Sequence, residues 1–97
     1  MESYIDFIRF TLPKLTDDEL LQLESDLMDK YELIKNTTDP DVPDMWARLK
    51  AIEDEMTIRD IGLSTVETDE LFRLQKKGVG LFILRAIDLE LMRRGIV

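Results

Sequence analysis

Residues 79–92, VGLFILRAIDLELM, decide the fold class that this sequence predicts. Ten of these fourteen residues are apolar, and only Arg85, Asp88 and Glu90 carry charge. A helix that is apolar around most of its circumference is usually buried in the middle of a domain. The sequence therefore predicts an all-α fold, a compact bundle of four to five helices around an apolar C-terminal helix at residues 79–94.

Residues 16–35 carry the clearest helix signal in the chain. Thr16 and Glu19 have the spacing of a capping box, and Leu15 and Leu20 occupy the positions of a hydrophobic staple. An apolar stripe follows, formed by Leu20, Leu23, Leu27, Tyr31 and Ile34, with Met28 at its edge. We expect this stripe to face the core and the acidic residues opposite it to face water.

Proline and glycine bound the neighbouring helices. A short helix over residues 4–12 should end at Pro13, because the residue before a proline is pushed out of the α-helical region. Its apolar face should include Ile8, with Phe7 directed elsewhere. A third helix should begin near Val42, after a loop rich in turn-forming residues, and end at Gly62.

The last third of the chain allows two interpretations. Ser64 and Glu67 have the spacing of a second capping box, so a helix should begin there. Gly78 follows two lysines, as at many helix C-termini, and predicts a break into two helices. The alternative is one long helix over residues 65–94.

Charged residues interrupt the apolar C-terminal helix at intervals of two or three. Arg85 and Asp88, with Glu90 and Arg93 beside them, are expected to form a narrow strip that faces solvent. The alternative is that these charges are buried and paired.

The composition limits the chemistry. The 97 residues fit one domain, residues 1–97, and include no cysteine and no histidine. The chain therefore lacks a thiolate nucleophile, the commonest general base and the commonest metal ligand. Because these groups are missing, we expect a protein that is not an enzyme and binds no cofactor. No basic signal-peptide start and no membrane-spanning run are present, so we expect a cytoplasmic protein that does not bind a membrane.

The net charge of −8 is concentrated in the middle of the chain. Residues 16–60 contain 14 acidic and 5 basic residues, whereas residues 61–97 contain 5 acidic and 6 basic residues. Direct nucleic-acid binding is disfavoured, because it requires a basic surface. A partner protein with a basic surface is the expected complement.

The leading functional hypothesis is a small acidic regulator or inhibitor that binds a partner protein without catalysis. Its acidic surface would occupy a basic groove in place of nucleic acid, an analogy of charge and size with phage anti-restriction and anti-CRISPR proteins. The residues expected to bind the partner are Asp17, Asp18, Glu24, Asp26, Asp29 and Glu32.

Two alternatives stay open. A self-associating structural or adaptor protein, such as a homodimer, would use an apolar interface, for which the candidates are Phe7, Phe10, Met45 and Trp46. A carboxylate-dependent metal hydrolase would need acids three or four residues apart on facing helices. Asp26, Asp29 and Glu32 have that spacing, as do Glu67 and Glu70, although a solvated acidic face explains them more simply.

Overall fold

A computed structural model of the protein describes residues 2–96. Every regular element in this range is helical, which confirms the predicted all-α fold class. The five α-helices in this range are α1 at Tyr4–Asp6, α2 at Asp17–Ile34, α3 at Val42–Ile61, α4 at Thr68–Lys77 and α5 at Leu81–Arg93. The chain divides into two units, Met1–Glu53 and Asp54–Val97, and the boundary falls inside α3. The single-domain interpretation stays a prediction.

The first helix changes its winding after one turn. α1 continues directly into a π-helical segment, Phe7–Thr11, and then into a 3₁₀ turn, Leu12–Lys14. The amide of Leu12 donates to the carbonyl of Phe7, five residues earlier, so the two residues lie one above the other. Both are buried, together with Ile8. The prediction that Phe7 faces elsewhere assumed α-helical spacing and is wrong, and Pro13 lies inside the 3₁₀ turn.

The start of α2 confirms the predicted capping box. The hydroxyl of Thr16 accepts a hydrogen bond from the amide of Glu19 at 3.2 Å, and the Glu19 carboxylate accepts one from the amide of Thr16 at 3.0 Å. These bonds satisfy two amides that an uncapped helix would leave without partners. The buried apolar residues of the first unit are Phe7, Ile8, Leu12, Leu20, Leu49, Ala51 and Ile52.

The predicted capping box at Ser64 does not form. Gly62 ends α3 in the left-handed conformation, and Leu63–Thr65 then form a 3₁₀ turn that includes Ser64. The amide and the hydroxyl of Thr65 both donate to the carbonyl of Gly62, at 3.2 and 2.8 Å. Glu67 is therefore the N-cap residue of α4, and its side chain makes no capping hydrogen bond.

Gly78 breaks the apolar stretch into two helices, as predicted. Its φ of 83° lies in the left-handed region, which costs glycine little and other residues more because of their Cβ atom. α4 therefore ends at Lys77, and α5 begins three residues after Gly78. The chain turns back between them, so α4 and α5 pack against each other within the second unit.

The burial of α5 is uneven along its length. Ala86, Ile87, Leu89 and Leu91 are buried, as the apolar pattern predicts. Its first turn is different: Leu81 is 70% exposed and Phe82 is 69% exposed. The apolar pattern therefore predicts the burial of the second half of α5 correctly and overestimates that of its beginning. The remaining buried apolar residues of the second unit are Ile58, Leu63 and Leu71.

The charges near the end of α5 form a largely buried ion cluster. Glu90 is 4% exposed and accepts from Arg94 at 2.7 Å and from Arg93 at 3.4 Å. Arg93 also pairs with Glu55 of α3, which is 3% exposed and bonded to Arg59 at 3.2 Å. The expected solvent strip is wrong at Glu90 and Arg93, because partners on α3 and at the end of α5 compensate these charges.

Candidate protein-binding surface

The six acidic residues predicted to bind a partner all lie on α2. We call Asp17, Asp18, Glu24, Asp26, Asp29 and Glu32 the acidic face. Five of them are exposed, and Glu24 is half-buried. At about 100° per residue, Asp18 and Asp29 project roughly opposite Leu20, whose side chain is fully buried. The inward position of Leu20 thus turns the acids towards solvent.

The capping box holds the N-terminal end of this face in place. The pKa of the Glu19 carboxyl lies below its ordinary value, because the charged form accepts hydrogen bonds from the backbone and the hydroxyl of Thr16. Asp17 and Asp18 follow in the first turn, where the positive end of the helix dipole stabilises negative charge. The first turn of α2 is therefore a favourable position for negative charge.

Little positive charge offsets the acidic face within α2. The helix contains seven acidic residues and one basic residue, Lys30. Just beyond its end, Lys35 pairs with Glu32 at 2.6 Å, which raises the pKa of Lys35. Asp26 accepts a hydrogen bond from Gln22 at 2.9 Å, which leaves its negative charge in place. The helix therefore presents a strongly negative surface.

Apolar side chains are exposed on the same helix. Leu33 is 81% exposed, Leu21 is 55% exposed and Met28 is 37% exposed. Leu21 and Met28 are seven residues apart and so lie on one side of the helix, next to Glu32 in angular position. Leu21 and Leu33 are not among the contact residues predicted from the sequence, although both fall outside the predicted core stripe. Acidic and apolar groups thus alternate over the exposed surface of α2.

A shallow groove runs along one side of α2 within the first unit. Its volume is about 320 Å³, and it is lined by Thr11, Leu15, Glu19, Gln22, Leu23 and Asp26. Leu15 and Leu23 supply apolar surface, and Asp26 is also part of the acidic face. The groove therefore suits a long side chain with an apolar stem and a cationic end, such as lysine or arginine.

The four residues of the apolar alternative differ in their exposure. Phe10 is 56% exposed and Trp46 is 45% exposed, whereas Met45 is half-buried. Phe7 is only 3% exposed and lies beneath the guanidinium of Arg48, 4.9 Å from its ring centre. Phe7 therefore does not belong to an exposed interface, because the π-helical turn directs it inwards.

The exposed tryptophan is supported by its neighbours. The rings of Trp46 and Tyr31 are 5.4 Å apart, and the ammonium group of Lys50 lies 4.2 Å from the Trp46 ring centre. These contacts hold the Trp46 side chain between Tyr31 of α2 and Lys50 of its own helix, α3, and leave part of it in water. Phe10 is the more exposed aromatic side chain of the two.

The acids considered for metal binding do not converge. Among residues 2–96, no group of three or more acidic side chains lies close enough together to hold a metal ion. Glu67 is the N-cap residue of α4, and Glu70 forms an ion pair with Arg73 at 2.7 Å. Asp26, Asp29 and Glu32 follow the exposed surface of α2 instead of meeting acids on a facing helix.

Comparisons of this chain with protein-family models, with curated proteins and with solved structures give no match. Within residues 2–96, no helix combines the length and the apolar character needed to cross a bilayer.

Proposed function

We propose that the protein is a non-enzymatic binding module that uses α2 to bind a partner protein with a basic surface. The observation that supports this proposal most strongly is the exposure of five residues of the acidic face on one helix. A capped helix of 18 residues is about 27 Å long, so it presents its carboxylates in a fixed array. Such an array complements a groove that binds the phosphates of nucleic acid.

Exposed apolar residues on α2 add a second source of affinity. Leu21 and Met28 lie beside the acids, and the groove at Leu23 adjoins Asp26. Electrostatic attraction mainly accelerates association and selects the partner, whereas burial of apolar side chains slows dissociation. An inhibitor that occupies a basic groove requires both, because purely electrostatic binding is weakened by physiological salt.

The experiment is affinity capture from a lysate of the source cells with matched baits. The wild-type protein is compared with Asp26→Lys/Asp29→Lys, which reverses two exposed charges in the middle of α2. The control bait is Asp6→Lys/Asp60→Lys, which makes the same change in net charge at exposed positions outside α2. Mass spectrometry identifies the bound proteins after washing at low and at high salt.

The proposal predicts basic proteins that bind the wild type and the control, are lost at high salt, and do not bind the α2 variant. Their affinity for the purified α2 variant should be at least about tenfold weaker, since two charged contacts have become repulsive. If the α2 variant captures the same proteins with unchanged affinity, the acidic face is not the binding surface.

A second candidate function is an adaptor that binds through apolar contacts around Phe10. The exposure of this aromatic side chain at 56% is the observation that favours it. An interface of this kind should resist high salt and weaken when Phe10 or Trp46 is replaced by alanine. The salt wash therefore separates the two candidates in one experiment.

A further inference from the structure

The second unit carries an exposed surface of opposite charge to α2. Arg73, Lys76 and Lys77 line one cleft on the second half of α4. Leu81 and Phe82 follow within five residues of Lys77, across the turn at Gly78, and both are about 70% exposed. We call these five residues the basic–apolar patch.

The charges of this patch are only partly compensated. Arg73 pairs with Glu70 at 2.7 Å. Within residues 2–96, neither Lys76 nor Lys77 has an acidic partner. Both lysines are favourable at the C-terminus of α4 because of the helix dipole, but the dipole does not account for the exposure of two large apolar residues beside them.

The patch is similar to a protein-binding surface in its composition. Exposed leucine and phenylalanine side chains are ordinarily scattered, and their position next to cationic groups instead matches an interface core with a charged rim. The patch requires a partner surface that combines carboxylates with exposed apolar side chains. The net charge of −8 makes approach to a polyanion unfavourable over the rest of the surface.

We infer that the occupant of the basic–apolar patch is α2 of a second copy of this protein. α2 has the required complement: exposed acids interspersed with Leu21, Met28 and Leu33. Carboxylates of one copy pair with Lys76 and Lys77 of the other, while the apolar side chains of the two surfaces cover each other. The inference uses one element of the proposed function, namely that α2 is a binding surface.

Two consequences follow from this contact. It joins two different surfaces, so two copies can form it twice in a two-fold reciprocal dimer. Formed once between neighbouring copies it is heterologous, and it then closes into a ring or continues as a chain of copies. The contact relies on ion pairs between exposed side chains, so the association should be weak and salt-sensitive. Self-association then occupies the acidic face, and a foreign basic partner competes with it.

Sedimentation velocity over a concentration series at low and high salt tests the inference. The base-reversed variant is Lys76→Glu/Lys77→Glu, and the acid-reversed variant is Asp26→Lys/Asp29→Lys. The matched control, Lys14→Glu/Thr38→Glu/Ser64→Glu, makes the same change in net charge at exposed positions outside both α2 and the patch. Circular dichroism verifies that each variant keeps its helical content and unfolds cooperatively.

We expect the wild type and the control to self-associate at low salt and to dissociate at high salt. Each reversed variant alone should associate at least about tenfold more weakly, because its contact is repulsive. An equimolar mixture of the two reversed variants should restore association between unlike copies, since one acidic face and one basic–apolar patch remain intact and the two reversed surfaces are themselves of opposite charge. A third variant, Leu81→Ser/Phe82→Ser, should also associate more weakly and keep its salt dependence.

Monomeric wild-type protein at every concentration would overturn the inference. A reversed variant that associates as strongly as the wild type would overturn it as well. So would a mixture of the two reversed variants that does not associate. Failure of the proposed function can be distinguished from failure of this inference, because the base-reversed variant keeps the acidic face. This variant should still capture a basic partner from the lysate when the proposed function is correct, whatever its own state of association.

Discussion

Arg93 of α5 forms an ion pair with Glu55 of α3, and both side chains are largely withdrawn from water, with 13% and 4% exposed. Arg59 reaches the same carboxylate of Glu55, and Glu90 reaches Arg93. Removing one partner of a buried pair leaves the other charge without compensation in a poorly solvated place. The pair therefore links α5 to the part of α3 that belongs to the second unit.

Replacement of Glu55 by glutamine should destabilise the protein by about 2–4 kcal/mol, because two arginines lose a buried counter-charge. The matched control is Glu53→Gln on the same helix, where the ion pair with Lys50 is partly exposed and spans 3.4 Å. That change should cost less than about 1 kcal/mol. Urea unfolding measures both free energies, and equal costs would contradict a buried role for Glu55.

Arg94 has a separate role that a charge-preserving substitution can test. Its guanidinium group bonds to Glu90 at 2.7 Å, to Thr68 at 3.2 Å, and to the carbonyls of Leu63 and Ser64 at 3.2 and 3.3 Å. Lysine keeps the charge but has no planar fork of donors. Arg94→Lys should cost about 1–3 kcal/mol in thermal or urea unfolding, since several partly buried acceptors lose partners. A variant as stable as the wild type would contradict this role.

Two leucines of α2 provide a matched test of its packing. Leu20 is fully buried, whereas Leu33 is 81% exposed. Leu20→Ala should lower the free energy of unfolding by about 2–5 kcal/mol, because it removes buried methyl groups and leaves a cavity. Leu33→Ala should change it by less than about 0.5 kcal/mol. Equal effects in denaturant unfolding would show that α2 packs through a different side.

Two glycines between α4 and α5 isolate the effect of backbone conformation. A Cβ atom at Gly78 or at Gly80 meets nothing within 4 Å, so neither substitution causes a steric clash with a neighbour. Gly78 has φ of 83°, whereas Gly80 has φ of −59°. Gly78→Ala should therefore cost about 1 kcal/mol, and Gly80→Ala should be neutral or stabilising by up to about 1 kcal/mol. Thermal unfolding measures the stability of both variants. If Gly80→Ala were the more destabilising of the two, the left-handed conformation at the end of α4 would be contradicted.

The capping box should give α2 a characteristic pH dependence. Since the pKa of Glu19 is lower in the folded state, its ionised carboxylate stabilises the protein above the pKa of the unfolded chain. This stabilisation is lost as the pH falls through the lower folded value. Glu19→Gln removes the titration, so the stability difference from the wild type should change over that acidic range and be constant above it.

Measurement of the carboxyl chemical shift of Glu19 by NMR gives its pKa directly. Thr16→Ala removes the hydroxyl and leaves the backbone donor, so it should raise that pKa only part of the way to its ordinary value. The same substitution should destabilise the protein by about 1 kcal/mol. Thr38→Ala, at an exposed position in the loop after α2, is the control and should change neither quantity.

The all-α fold class and the position of α2 could be predicted because their determinants are local. Thr16 and Glu19 bond to each other's backbone amides within one turn, so this helix start is specified locally. Ser64 and Glu67 have the same spacing without forming a capping box, so the spacing alone is not sufficient. Gly78 similarly marks a helix end through its own backbone conformation. The exposure of the acidic face followed from helical periodicity once Leu20 was placed in the core.

Other features depended on contacts between residues distant in sequence, or on the course of the backbone. The π-helical turn buried Phe7, although α-helical spacing placed it outside the predicted core face. Ser64 lies within the 3₁₀ turn after Gly62 and therefore does not cap α4. Sequence alone therefore determined the helices that have strong local signals. Where the signals were weaker, the conformation of the neighbouring backbone decided which residues were buried and where a helix began.

The clearest division concerns the charges of α5. Sequence periodicity placed Glu90 and Arg93 on a solvent strip, because charged residues are usually hydrated. Only the tertiary structure brought Glu55 to Arg93, and only that pairing makes burial of Glu90 and Arg93 energetically acceptable. It likewise left Leu81 and Phe82 exposed, since they lie in the first turn of α5, where no other element among residues 2–96 covers them. Local hydrogen bonding and periodicity thus determined the helices, whereas long-range packing decided which charges and apolar groups meet water.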